Sequence, residues 1–258
     1  MHTYDDETEE LARAIVAYAR NRIASPQPLD RVAPPDELAR RAGRTIAPEG
    51  IGWEEALRIW AEVLAPATIS TDHPASVAFV PAAPTKASVL FDLIVGASST
   101  IATGWIDGAG AIWAENEALR WVAGLAGLPG EAGGVFVSGG SAGNLSALVT
   151  ARHAASERRG GRPDRWRFAA SDTVHSSVAA AARVMDVDVL QVPHDEQGRL
   201  TGDALRGSLD ADGDDGVFAV VASAGATNAG TVDDLAGVAD VCAERGLWLH
   251  VDGAYGGA

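Results

Sequence analysis

Apolar residues recur at helical spacing near the start of the chain and gather into short continuous runs in its second half. Over residues 5–24, Leu11, Ile15, Tyr18 and Arg22 fall on that spacing and predict a helix. The next stretch, SPQPLDRVAPPDELARRAG, is rich in proline and charge and predicts an extended connection. A second amphipathic helix is expected from Gly52 to Leu64, with Trp53, Leu57, Trp60 and Leu64 on one face and Pro66 beyond its end. Residues 1–72 thus read as a helical N-terminal arm. An apolar stripe with so little core of its own is better suited to packing on a partner surface, so a homodimer is expected.

At His73 the texture changes. HPASVAFVPAAPTKAS reads as a proline-punctuated loop, and long apolar helices are expected around 86–99 and 110–127. Beyond Gly134, the runs GVFVS, RFAAS, VDVLQVP, VFAVVASA and LWLHVD read as short strands separated by helices or loops. In DDLAGVADVCAERG, the residues Leu235, Val238, Ala239 and Cys242 form one buried stripe. Asp233 and Asp234 favour the start of that helix and Gly246 ends it. Apolar strands alternating with helices predict an α/β domain whose largely parallel sheet is covered on both faces, with its ligand site at the carboxyl ends of the strands.

Composition narrows the function. A chain of 258 residues with 47% hydrophobic content can bury a substantial core, which argues against disorder. With 20 basic and 35 acidic residues, the net charge of −15 repels phosphate backbones and argues against a nucleic-acid partner. Asp92, Asp107 and Glu115 interrupt the most apolar region, so no membrane span is expected. The lone Cys242 offers neither an internal disulfide nor a metal cluster; with no charged-then-apolar leader at the start, the cytoplasm is the expected compartment and no metal is expected. Nineteen arginines accompany a single lysine, Lys86, at a helix start, where it reads as a surface cation.

Four segments carry candidate chemistry. Ser138-Gly139-Gly140-Ser141-Ala142-Gly143-Asn144 joins a predicted strand to a helix expected to open near Ala142. Its bare backbone N–H groups and the hydroxyls of Ser138 and Ser141 suit an anion, and a tight turn with serine capping explains it equally well. It has neither a P-loop nor a clean dinucleotide pattern. Asp172-Thr173-Val174-His175-Ser176-Ser177 puts His175 at a strand's carboxyl end, as a structural residue or as a ring able to stack on a flat ligand; His153 and His194 read as surface residues. Ser223–Gly230 is a loop of small residues that offers the Thr227 hydroxyl, either a plain turn or one kept small for a ligand. Asp252 closes an apolar strand, where it would cap its own turn or meet a cation such as a protonated pyridine nitrogen.

In this order and spacing, the four segments resemble the group II pyridoxal-phosphate-dependent amino-acid decarboxylases, which include the aromatic-amino-acid and glutamate enzymes. The likeness covers His73 to Gly257. It implies a fold-type-I, three-layer αβα large domain over 73–258, without its end and without the small C-terminal domain. It implies pyridoxal 5′-phosphate as cofactor and decarboxylation of an L-amino acid to an amine. Gly140 and Ser141, with Ser138, would bind the phosphate; His175 would stack on the ring; Thr227 would lie beside it; Ala254 would pack beneath it; Asp252 would pair with its nitrogen. Phe79 and Pro81 would wall the substrate pocket, with Trp105 nearby. The family's lysine, which holds the cofactor covalently, lies some tens of residues beyond the H-V-D motif; Lys86 does not match that position. The expectation is therefore the N-terminal part of such an enzyme. Transamination, sulfur abstraction and a non-catalytic cofactor-binding or partner subunit are the alternatives.

Overall fold

A computed structural model describes residues 3–25, 32–76, 78, 79 and 83–257. It divides into two compact units, Met1–Thr100 and Ile101–Ala258, whereas the texture of the sequence changes at His73.

The first unit is helical. Helix α1 (Asp6–Ala24) is capped by Asp5, which accepts from the Thr8 N–H at 2.9 Å, and its first turn is acidic, as the helix dipole favours. The stretch expected to be an extended connection contains a helix, α2 (Pro35–Ala42). Its signals are proline at the first position, Asp36 and Glu37 in the first turn, Arg40 and Arg41 in the last, and Gly43 after the end; the prolines that argued for a connection mark a helix start. Helix α3 (Trp53–Ile59) does not continue to Leu64 as an α-helix. Trp60–Leu64 widens into a π turn, in which the Ala65 N–H bonds to Trp60 O, and a 3-10 turn over Ala65–Ala67 follows. Ile59 and Val63 are the buried pair; of the predicted stripe, Trp53, Leu57 and Leu64 are half-buried and Trp60 is exposed. Arg22 forks onto Asp72 with two contacts of 2.6 Å, tying α1 to the segment after these turns and holding the Asp72 carboxyl well below the usual range. Helix α4 (Lys86–Ala97) is capped by Thr85 and leaves Leu90, Phe91, Leu93, Ile94 and Val95 more than half exposed within its unit.

The second unit opens with α5 (Trp105–Leu125), which starts five residues before the expected position and bends at Gly108. Asp107, read as an interruption, is part of its start: its carboxylate accepts from the Gly104 N–H at 3.0 Å and from the Thr103 hydroxyl at 2.8 Å. The GVFVS run is not a strand; Val135 and Phe136 are exposed and pair with no ladder among the described residues. The other four predicted strands form: β1 (Arg167–Ser171), β2 (Asp188–Val192), β3 (Val217–Ser223) and β4 (Trp248–Asp252). All pairings are parallel, in the order β2-β1-β3-β4.

Helices cover both faces of this sheet. Leu148 of α6 (Gly140–Arg159) and Val178, Ala182 and Met185 of α7 (Ser176–Met185) pack on Phe168, Phe218 and Val221. On the other face, Leu205 and Leu209 of α8 (Gly202–Asp212) and Val238, Val241 and Cys242 of α9 (Leu235–Arg245) pack on Ala169, Val220 and Leu190. The result is the expected three-layer α/β architecture, with β3 buried along its whole length. Cys242 is a core residue, and burial pushes its thiol up to about 11. Its stripe in α9 is Val238, Val241 and Cys242, with Leu235 and Ala239 only half-buried.

Candidate functional site

Successive parallel strands that leave β1 in opposite directions create a crevice at the carboxyl edge of the sheet, between β1 and β3. The polar residues that converge near that edge come from the starts of α6 and α7, the loop after β3 and the end of β4.

Helix α6 starts at Gly140, two residues before the predicted opening. The N–H groups of Ala142 and Gly143 donate to Gly139 O at 3.0 and 3.1 Å, while those of Gly140 and Ser141 have no acceptor among the described residues. No side chain caps the helix, so the serine-capping alternative for this turn is not the one adopted. Ser138, Gly140 and Ser141 are exposed, and a Cβ built on Gly139 or Gly140 would meet nothing within 4 Å. Two free N–H groups at a helix start, beside two hydroxyls and open space, suit an anion.

His175 precedes α7 and caps it. Its Nδ1 accepts from the Ser177 N–H at 3.2 Å and lies 2.8 Å from the Ser177 hydroxyl. The ring is exposed and borders a cavity of about 550 Å³, together with Asp172, Gln191, Thr227 and Asn228. This cavity joins His175 to Thr227, but neither Asp252 nor the α6 turn lines it. His194 is exposed, as expected, and has a partner. Its Nδ1 sits 2.8 Å from Asp172 Oδ1, a pairing that lowers the Asp172 pKa.

Asp252 ends β4 half-buried. Its Oδ1 accepts from the Ala254 N–H at 3.2 Å, capping its own turn, while Oδ2 accepts from Asn144 Nδ2 at 2.9 Å. No lysine or arginine pairs with it among the described residues. Asn144, buried in the first turns of α6, also donates to the Ser177 hydroxyl at 2.9 Å and faces His250 Nε2 at 2.8 Å. Burial pulls the pKa of His250 below its ordinary value, against a smaller opposing effect of the Asp252 charge. One buried amide therefore joins three elements. In the sequence, Asn144 stands only at the end of the glycine-rich turn, Ser177 at the end of the His175 segment and His250 at the head of the H-V-D motif, with no role marked for any of them; the pairing of residues 108 positions apart has no local signal.

Thr227 is exposed in a loop closed by Ala226 N–H to Thr231 O at 2.8 Å and Gly230 N–H to Ala226 O at 2.7 Å. Its shape depends on Gly225, whose φ is +101° and whose Cβ would stand 2.5 Å from Cδ1 of Tyr255. Asp233, expected only to favour the start of α9, is buried instead and accepts from the N–H groups of Leu200 and Ser223 at 2.8 and 2.7 Å; desolvation raises its pKa. Ala254 is exposed beside Asp252. Trp105 is exposed at the start of α5 in the second unit, and Phe79 is exposed in the first unit with a φ of 66°. Pro81 lies outside the described residues. Among the described residues there is no cluster of three metal-ligating side chains, and no helix is long and apolar enough to cross a membrane.

The pyridoxal-dependent decarboxylase conserved domain matches residues 35–258. An aromatic-L-amino-acid decarboxylase of Bacillus atrophaeus is 33% identical over 235 residues, covering 89% of this chain and 48% of that protein. Among solved structures, mouse CSAD superposes with a TM-score of 0.83 at 26% identity, covering 97% of this chain and 54% of that one. Oryza sativa TDC, solved with PLP and tryptamine, gives a TM-score of 0.82 at 26% identity, covering 97% of this chain and 55% of that one. The chain thus spans about half the length of the relatives it matches.

Proposed function

The chain belongs to the pyridoxal-dependent decarboxylase family, and from that membership we propose that it grips pyridoxal 5′-phosphate for an enzyme that removes the α-carboxylate of an L-amino acid, releasing an amine and carbon dioxide. The observation that carries this reading is Asp252: a carboxylate at a strand's carboxyl end, held by a buried amide and without a cationic partner among the described residues. A protonated pyridine nitrogen completes such a group.

The free N–H groups of Gly140 and Ser141, with the hydroxyls of Ser138 and Ser141, fit the phosphate. Asp252 keeps the ring nitrogen protonated. His175 would stack on the ring, with Thr227 beside it and Ala254 beneath. When bound, the cofactor supplies the electron sink for the charge left as the carboxylate departs. His175 and Asp252 are the two side chains to which this reading assigns catalytic work. Phe79, Pro81 and Trp105 are its substrate-side residues.

In the same reading, residues 1–72 serve as a dimerisation arm, 73–258 form the first part of the cofactor-binding domain, and the protein works as a homodimer in the cytoplasm. The exposed apolar faces of α4 and α5 support the dimer, and the single buried thiol is compatible with a reducing compartment.

The test uses the coding sequence continued past Ala258 as far as it stays open. With pyridoxal phosphate and a panel of L-amino acids, carbon dioxide and the matching amine are expected. A keto acid without carbon dioxide would overturn decarboxylation in favour of transamination, and no product from any amino acid would overturn the enzymatic reading.

A further inference from the structure

Asn144 has three partners, and their chemistry admits one arrangement. Ionised Asp252 can only accept, so the oxygen 2.9 Å from Asn144 must face the amide NH₂. The second amide hydrogen then goes to the Ser177 hydroxyl at 2.9 Å, and Asn144 Oδ1 faces His250 Nε2 at 2.8 Å as an acceptor. His250 must therefore carry its hydrogen on Nε2. Ser177, having accepted from Asn144, turns its own hydrogen toward His175 Nδ1 at 2.8 Å, which also receives the Ser177 N–H at 3.2 Å. That nitrogen is an acceptor twice over. The hydrogen of the His175 ring accordingly lies on Nε2, and His175 borders the cavity shared with Thr227.

We propose that Asn144 is the positioning residue of this site: it fixes the Asp252 carboxylate in the orientation that meets the ring nitrogen, holds the hydrogen of His250 on Nε2 and turns the Ser177 hydroxyl toward His175. The proposal rests on the cofactor reading for the identity of the ring, while the hydrogen-bond order stands on the protein alone. Asn144 and Ser177 are both buried, which removes water as a competing partner and makes each unmade bond costly. The titratable groups facing Asn144 are His250 and Asp252 from β4 and, beyond one hydroxyl, His175 at the start of α7.

Two variants separate shape from hydrogen bonding. Asn144→Asp keeps the size and the acceptor toward His250 but loses both donors; Asn144→Leu loses all three bonds. Histidine side chains labelled with ¹⁵N report the tautomers of the ligand-free chain. Pyridoxamine 5′-phosphate, which has no aldehyde and cannot react with Lys86, reports the grip on the ring by fluorescence titration. In the wild-type chain, His175 and His250 are expected with the hydrogen on Nε2. In Asn144→Leu, His250 is expected to populate both tautomers, in Asn144→Asp it keeps its hydrogen on Nε2, and in both the Ser177 N–H holds His175 in its wild-type tautomer while the Kd for pyridoxamine phosphate rises about tenfold or more.

A wild-type His175 with its hydrogen on Nδ1 overturns the proposal even if neither variant folds. So do a folded Asn144→Leu in which His250 keeps its hydrogen on Nε2 alone, and folded variants that bind within twofold of wild type. If the wild-type chain does not bind the probe at all, the cofactor reading fails, and the tautomers still decide the hydrogen-bond order.

Discussion

At the scale of single residues, the site is a set of polar groups whose roles depend on who their neighbours are. His250 shows this through pH. Burial keeps its folded-state pKa below the ordinary value, so as pH falls the unfolded chain binds a proton first. Stability therefore declines from about pH 6.5, the ordinary value for the side chain, down to the lowered folded value, where the slope vanishes. His250→Gln retains an N–H donor for Asn144 and should flatten that decline. Thermal unfolding at about pH 7.5 and about pH 5.5 checks it, and an unchanged difference between the two variants would contradict the assignment. Asp233 gives a second prediction. Its carboxylate satisfies two buried N–H groups, so Asp233→Ala should cost about 1–3 kcal/mol in denaturant unfolding. Some of this was legible in sequence: Asp252, His175 and the serine-glycine turn stand at motif positions. The bonds of Asn144 to Ser177, His250 and Asp252 were not, because these partners are assembled only when α6, α7 and β4 come together.

At the scale of elements, the sequence announced the strands that find partners and misjudged the segments that find none. RFAAS, DVLQV, VFAVVAS and WLHVD pair side by side, while GVFV is as apolar but has no ladder among the described residues. A strand is a relation between two segments, so propensity alone cannot decide it. Helix α2 was missed because prolines were read as breakers when they stood at a helix start. In α3, nothing in the apolar spacing distinguishes a π turn from continuation, and the buried pair shifted to Ile59 and Val63. The packing of α9 can be tested through its thiol. Cys242 is buried and its pKa is raised, so a thiol reagent should modify it at the rate of unfolding, and rapid labelling of the native chain would contradict the packing. On the opposite face, Leu148→Ala should destabilise the unit by about 2–5 kcal/mol.

At the scale of the whole molecule, the second unit places His175, Thr227 and Asp252 at the carboxyl ends of strands in one parallel sheet, and the pyridoxal-dependent decarboxylase domain matches residues 35–258. The apolar faces of α4 and α5 remain exposed within their units, and the chain spans about half the length of its relatives. If those faces support the proposed homodimer, sedimentation should show a species of twice the 26.6 kDa chain mass; a monomer throughout the micromolar range would contradict it. The broad fold was legible because alternating strands and helices constrain topology strongly. How the site is held together was not, since it depends on contacts across 108 residues of chain. The claim tested most directly is that Asp252 receives the ring nitrogen of a pyridoxal phosphate cofactor. The measurement is a titration of the wild-type chain and Asp252→Asn with pyridoxamine 5′-phosphate. Saturable binding that weakens by about ten- to a hundredfold in the variant is the predicted result; equal affinity in the two proteins, or no binding by the wild type, would contradict it.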